Sequence, residues 1–194
     1  MVLKIDLSKA YDRVSWIYLR VILTKMGFGV PFITWVMSSL TSVSFSVLIN
    51  GVASSFFRSG RGLRQGCPLA PLLFLVVAEG LSRALLSARN NGFFRGISFG
   101  NEISLTHVLF VDDIVMITDG SAQSLSMLYE ILMEFSKATG MMINEDKSSF
   151  YYSRLDEAEV ISLQNIFSYK VLKIESGMKY LGFYLKPCRY FLKD

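Results

Sequence analysis

Apolar residues recur along this chain in two periods, and the switches between them lay out its elements. Val2, Leu3 and Ile5, interrupted by Lys4 and closed by Asp6, read as a short strand. From Ser15 the period lengthens. Leu19, Ile22, Leu23 and Met26 form one helical stripe, with Ser15 as the N-cap and Gly27 as the stop. Pro31 opens a second helix through about Leu40. Ser42 to Asn50 then alternates, with Val43, Phe45, Val47 and Ile49 apolar, and Asn50-Gly51 predicts a hairpin turn that returns through Phe56 and Phe57. After a glycine-rich loop, residues 59–66, a long apolar helix is expected from Pro68 to about Arg89.

The second half repeats the alternation of periods. A strand from Leu105 to Val111, the pair Asp112-Asp113 and a strand from Ile114 to Thr118 read as a hairpin. Ser121 caps a helix whose stripe is Leu125, Leu128, Ile131, Leu132 and Phe135, closed by Gly140. A strand near residues 142–152, a polar helical stretch over 154–167 and a final hairpin over 171–185, turning near Gly177, complete the order. No repeat, low-complexity tract or linker divides the chain, so one domain over residues 1–194 is expected. The succession of elements predicts an α+β fold with helices packed on one face of an antiparallel sheet, a ferredoxin-like split βαβ core.

Composition narrows this picture. Hydrophobic residues make up 52% and charged residues 19% of the 194, which excludes a disordered chain and leaves apolar faces for other domains to meet. A mean hydropathy of +0.40 raises the question of a membrane. The longest apolar run, Leu69 to Ala78, is broken by Pro71 and ended by Glu79, short of the roughly 18 residues a spanning helix needs. A buried helix and no membrane partner are expected. No basic segment followed by an apolar stretch opens the chain, and Cys67 and Cys188 stand far apart without metal-ligand spacing. The expected setting is intracellular, nucleus or cytoplasm, without secretion. Residues 1–97 hold eleven Lys/Arg against three Asp/Glu, whereas residues 98–194 hold nine against thirteen. A basic half beside an acidic half suits a polyanion lying over one and directed toward a cation in the other.

The acids that break apolar strands carry the chemistry. Asp112 and Asp113 interrupt a run of Leu, Phe, Val, Ile and Met, and burying such charges unpaired costs many kcal/mol. Asp-Asp is also an ordinary turn dipeptide, so alone it points equally to a hairpin tip. Asp6 changes the balance, because it too closes an apolar strand. If the two strands are neighbours, Asp6 and Asp112 face each other across the sheet. Carboxylates that close repel unless a hard divalent cation neutralises them. Mg²⁺ accepts a few carboxylates together with waters and phosphates. Two such ions about 3.5–4 Å apart activate a 3′-hydroxyl and stabilise leaving pyrophosphate, which is nucleotidyl transfer. His107, alone before a strand, is expected to be structural.

Five segments in order then resemble the palm motifs of reverse transcriptases, in wording closest to the non-LTR (LINE-type) retrotransposons of plants. They are Lys4-Ile-Asp6-Leu-Ser-Lys-Ala-Tyr11-Asp12, Arg61-Gly-Leu-Arg64-Gln65-Gly66-Cys67-Pro68-Leu-Ala-Pro71, Phe110-Val111-Asp112-Asp113, Gly140-Met-Met-Ile-Asn144-Glu-Asp-Lys147-Ser148 and Tyr180-Leu181-Gly182-Phe183. The resemblance implies an RNA-directed DNA polymerase palm. Asp6, Asp112 and Asp113 would be its catalytic, metal-binding acids, with two Mg²⁺ ions or Mn²⁺ in their place. Tyr11 would be the steric gate against a ribose 2′-OH, Gln65 and Gly66 would contact incoming nucleotide and template, and Lys147 would stand near the triphosphate. Arg61 and Arg64 would meet nucleic-acid phosphates, and Tyr180, Leu181 and Gly182 would grip the primer end. An RNA template, a DNA primer and dNTPs are the implied partners, together with fingers, thumb and endonuclease regions that the motifs here do not include. The alternative is a truncated, inactive retroelement remnant with weak nucleic-acid affinity. Two positions depart from the family pattern: Cys67 stands where many relatives have Asp, and Val111 where Ala is frequent. A β-branched residue at 111 is expected to continue the strand and narrow the site.

Overall fold

The computed structural model describes residues 1–99 and 103–187; Cys188 lies outside them. Contacts divide the chain into two compact units. One comprises Met1–Ser8, Leu81–Glu134 and Ile143–Asp194, the other Lys9–Gly80 and Phe135–Met142.

The first unit is built on a five-stranded sheet in the order Lys170–Lys173, Ser149–Tyr152, Val2–Ile5, Asp113–Ile117, His107–Phe110. Val2–Ile5 is antiparallel to both of its neighbours, with Leu3 opposite Met116 on one side and Phe150 on the other. Side chains alternate across a strand, so Leu3, Ile5, Ile114, Met116 and Phe150 share one face, and all are fully buried. Phe150 packs on Phe167, which in turn meets Tyr129 of the helix Ala122–Thr139. The opposite face carries Val115 and Tyr151, which cluster with Met178. Both ring nitrogens of His107 are engaged, by Thr106 Oγ1 and Ser82 Oγ at 2.9 Å each, the structural role expected of it.

The class is α+β as expected, but the sheet is mixed. Ser149–Tyr152 and Lys170–Lys173 run parallel, because the helix Glu157–Ile166 carries the chain back as a crossover. A capping box fixes its start: Asp156 Oδ1 accepts from Glu159 N–H at 2.8 Å, and Glu159 Oε2 accepts from Asp156 N–H at 3.0 Å. The expected hairpin turning at Gly177 is therefore corrected. Gly177 ends a 3-10 turn, Ile174–Ser176, and the hairpin proper pairs Met178–Tyr180 with Phe183–Leu185 around Leu181 (φ 49°) and Gly182 (φ 86°). Two consecutive left-handed residues suit a two-residue type I′ hairpin turn, and here Leu181 and Gly182 supply them.

In the second unit the helix Trp16–Lys25 follows its sequence signals closely. Ser15 Oγ accepts from Tyr18 N–H, while Phe28 N–H reaches Leu23 O and Gly27 N–H reaches Thr24 O, a Schellman stop. Val30–Thr41 follows with its proline in the first turn. The hairpin at Asn50-Gly51 is present but interrupted: Leu48–Ile49 pairs with Val52–Ala53 and Ser44–Phe45 with Phe57–Arg58. Ser54 bridges the gap, its Oγ accepting from Val47 N–H at 3.0 Å. Large apolar side chains stand exposed in this unit, among them Ile17, Val30, Trp35, Leu48, Val52 and Phe56.

The helix Ala70–Asn90 is the one described segment long and apolar enough to cross a membrane by length and composition. It buries Leu73, Phe74, Val77, Leu81 and Leu85 within the protein, as a core helix does.

Candidate active site

Strand pairing sets Asp6 beside Asp113 and not beside Asp112, the neighbour expected from the sequence. Ile5 is opposite Ile114, so Asp6 and Asp113 stand one step beyond that pair on neighbouring strands. Phe110 pairs with Asp113, which leaves Val111 and Asp112 as the turn between them. Only Asp112 of the expected pair lies in the turn; Asp113 opens the strand Asp113–Ile117. The backbone of Asp6 is fixed from both sides: its N–H donates to Ser148 Oγ at 3.2 Å, and its carbonyl accepts from Asn144 N–H at 2.8 Å. Residues 144–148 thus form a turn against Asp6, and the exposed Lys147 belongs to it. Asn144 and Ser148 received no role from the sequence reading, although both lie inside the motif that contains Lys147. Ser148 is fully buried, which no sequence period signals.

Val111 does not continue the strand. It takes φ 55°, in the left-handed region, because the first residue of this tight turn must reverse the chain. For a β-branched side chain that conformation costs on the order of 1–3 kcal/mol. Strain is therefore stored one residue before Asp112.

Among the described residues no three His, Cys, Asp or Glu side chains gather into one group. The donor set still fits Mg²⁺, which is ordinarily held by one or two carboxylates plus water and substrate phosphates. Asp112 is exposed, while Asp6 and Asp113 are half-buried. On the sheet face that Asp113 shares with Val115, the ring of Tyr180 packs against the Val115, Tyr151 and Met178 cluster. Its hydroxyl is buried without a hydrogen-bond partner. Burial, and after it the negative charge of Asp113, push the Tyr180 pKa up. Leu181 and Gly182 form the exposed turn that follows.

A second set of residues converges in the other unit. The short helix Ala10–Arg13 carries Tyr11, and the loop over residues 61–66 lies against it through backbone bonds: Leu63 N–H to Tyr11 O at 2.7 Å and Gly62 N–H to Val14 O at 2.8 Å. Trp16 Nε1 donates to Gly62 O at 2.7 Å, and Gln65 Nε2 reaches Asp12 Oδ1 at 3.3 Å. Gly62 sits at φ 90° with the Asp12 carbonyl 2.6 Å from where a Cβ would be, so only glycine permits this approach. The Tyr11 ring stacks on Phe74, centroids 4.8 Å apart. Tyr11, Gln65 and Gly66 then line one cavity of about 360 Å³ with Cys67, Pro68 and Pro71. Beside it is a cleft of about 620 Å³ edged by Arg61, Arg64 and Asp12 and floored by Trp16, Phe45 and Phe57. Trp16, Asp12 and Phe74 are further residues the sequence reading left without a role; an aromatic in a helical stripe looks like core until a partner is seen.

Comparison with known proteins gives the family and the fold. Residues 1–185 match the family model described as "Reverse transcriptase (RNA-dependent DNA polymerase)". The chain is 30% identical over 145 residues, 74% of its length, to the Pol polyprotein of the type-2 retrotransposable element R2DM of Drosophila melanogaster. It is 27% identical over 97% of its length to the transposon TX1 149 kDa protein of Xenopus laevis. It spans only 13% and 14% of those two polypeptides. Among solved structures, apo telomerase from Candida tropicalis shares the fold with a TM-score of 0.63 at 14% identity, over 95% of this chain and 31% of that one.

Proposed function

Because the chain belongs to the reverse transcriptase family, we propose that it is the palm of a non-LTR retrotransposon polymerase, with motif wording closest to plant elements, that extends a DNA primer on an RNA template with dNTPs. The observation that carries this reading is the pairing of Val2–Ile5 with Asp113–Ile117, which brings Asp6, Asp112 and Asp113 to one end of one sheet. Those acids would hold Mg²⁺, or Mn²⁺ in its place, and the bound ions supply charge neutralisation at the reacting phosphate and activation of the primer 3′-hydroxyl. The chain's own residues position the reactants. Tyr11, backed by Phe74, offers a flat ring to the sugar and excludes a 2′-OH. Gln65, held by Asp12, contacts the incoming nucleotide, and Gly66 lets backbone approach it. Lys147 reaches the triphosphate from the turn beside Asp6. Arg61 and Arg64 receive template phosphates along the 620 Å³ cleft. The exposed turn at Leu181 and Gly182 meets the primer end. The work is intracellular, in nucleus or cytoplasm.

A second reading is a truncated, catalytically inactive retroelement remnant that keeps the fold with weak nucleic-acid affinity. Incorporation of labelled dNTP on a primed RNA template separates the two. The 194-residue chain alone should extend little, because positioning of the reactants can supply about 7–11 kcal/mol of a barrier and the motifs present are those of the palm alone. Joined to the fingers and thumb of a relative it should extend, and Asp112→Asn should abolish that extension. No extension by the joined chain would favour the remnant, and extension that survives Asp112→Asn would remove Asp112 from the metal site.

A further inference from the structure

Among the described residues two buried side-chain polar atoms have no hydrogen-bond partner, Arg13 Nε and the hydroxyl of Tyr180, and a grip on the primer end does not require that Tyr180 hydroxyl. Tyr180 is the last residue of its strand, just before the Leu181-Gly182 turn. The strand is tied to the main sheet next door, since Lys4 Nζ donates to Lys179 O at 2.7 Å and Lys4 lies opposite Val115. The ring packs on the cluster of Val115, Tyr151 and Met178. Asp113 lies two residues before Val115 on the same strand, hence on the same face and about 6.6–6.8 Å further along. A tyrosine side chain covers that step. Its hydroxyl ends inaccessible to solvent and without a partner, within range of the Asp113 charge. Phenylalanine would fill the same space without an unpaired donor, so packing does not explain the oxygen.

We propose that Tyr180 is a positioning residue for Asp113: its hydroxyl donates to one carboxylate oxygen when a divalent cation takes the other. The orphaned donor thus acquires its partner in the cation-bound state. Held this way, the carboxylate presents one oxygen in a fixed direction, as outer-shell hydrogen bonds do for metal ligands generally. The inference rests on the reading of Asp113 as a cation ligand.

The test is a titration of Mn²⁺ into the 194-residue chain, with free Mn²⁺ followed by electron paramagnetic resonance and the thermal midpoint recorded for each variant. Asp112→Asn and Asp113→Asn should each weaken binding. Tyr180→Phe should weaken it about tenfold, the lower end of what removing an outer-shell partner does, with the midpoint unchanged or raised. In an Asp113→Asn background Tyr180→Phe should cost nothing further. Wild-type affinity in Tyr180→Phe, or the same loss in the Asp113→Asn background, overturns the inference and leaves the cation site standing. A midpoint that falls by several degrees overturns it as well, by showing that the hydroxyl has a structural partner. If Mn²⁺ binds no better to the wild type than to Asp112→Asn and Asp113→Asn, the cation site falls and the inference with it.

Discussion

Single residues here are chosen for backbone reasons as much as for chemistry. Gly62 shows it best: φ 90° and a carbonyl 2.6 Å from the absent Cβ leave no room for any other residue. Gly62→Ala should therefore destabilise the unit by about 1–3 kcal/mol, read as a lower denaturation midpoint, and should displace Gln65 from Asp12. An alanine variant as stable as the wild type would mean that the loop shifts freely. Tyr11 is the complementary case, a residue chosen for its ring. In the chain joined to fingers and thumb, Tyr11→Val should admit ribonucleotides while dNTP use falls little, since only a clash with the 2′-OH is removed. Unchanged discrimination would make Tyr11 a packing residue on Phe74 and not a gate. Val111 breaks the local rule, and its left-handed φ could not be read from the sequence, because Val is a residue that favours strands.

Elements are held by their ends. The helix Ala122–Thr139 begins in a network in which Asp119 Oδ1 accepts from Ser121 N–H at 3.0 Å and from Ser121 Oγ at 2.9 Å. Burial alone would push the Asp119 pKa up. The bonds from Ser121 and Ser124, with Arg95, more than reverse this and hold it below the usual carboxylate value. A depressed folded pKa contributes stability that is complete above the unfolded value, about pH 4, and is lost as pH falls through the folded one. Thermal midpoints measured downward from pH 5 should fall below pH 4, and Asp119→Asn should flatten that part of the profile. An identical profile in the variant would assign the acid sensitivity to other carboxylates. Ser121 was legible as a cap; Asp119 was not, because its partners Arg95 and Ser124 lie far from it in sequence or on the next turn.

At the scale of the molecule, charge is the property that the fold redistributes. The unit made of Lys9–Gly80 and Phe135–Met142 holds eight Lys/Arg against two Asp/Glu, Asp12 and Glu79. Single-stranded RNA should bind with an affinity that falls as salt rises, by about 0.7 in log–log slope per phosphate contact. Arg61→Ala and Arg64→Ala should each reduce that slope by roughly one contact and weaken binding evenly across RNA sequences. A slope that neither variant changes would move the phosphate path away from the 620 Å³ cleft.

The sequence by itself determined the helices, the caps at Ser15 and Gly27, the Asn50-Gly51 turn, the α+β class and the family, because each is written in local periodicity, turn chemistry or contiguous motifs. It also marked Asp6, Asp112 and Asp113 as acids out of place in apolar strands. Only the tertiary structure decided what depends on residues distant in the chain. Pairing decided that Asp113, with Asp112 in the turn beyond, stands beside Asp6 in the register. The crossover through Glu157–Ile166 decided that the edge strand runs parallel, since strand direction follows from connection and carries no residue pattern of its own. The bonds from Asn144 and Ser148 to Asp6, and the meeting of Tyr180 with the face of Asp113, span more than sixty residues each. Hydrophobic period reports which side of an element is buried; it says nothing of which distant polar group will be found there, and that is the physical reason the site's supports became visible only once the chain was folded.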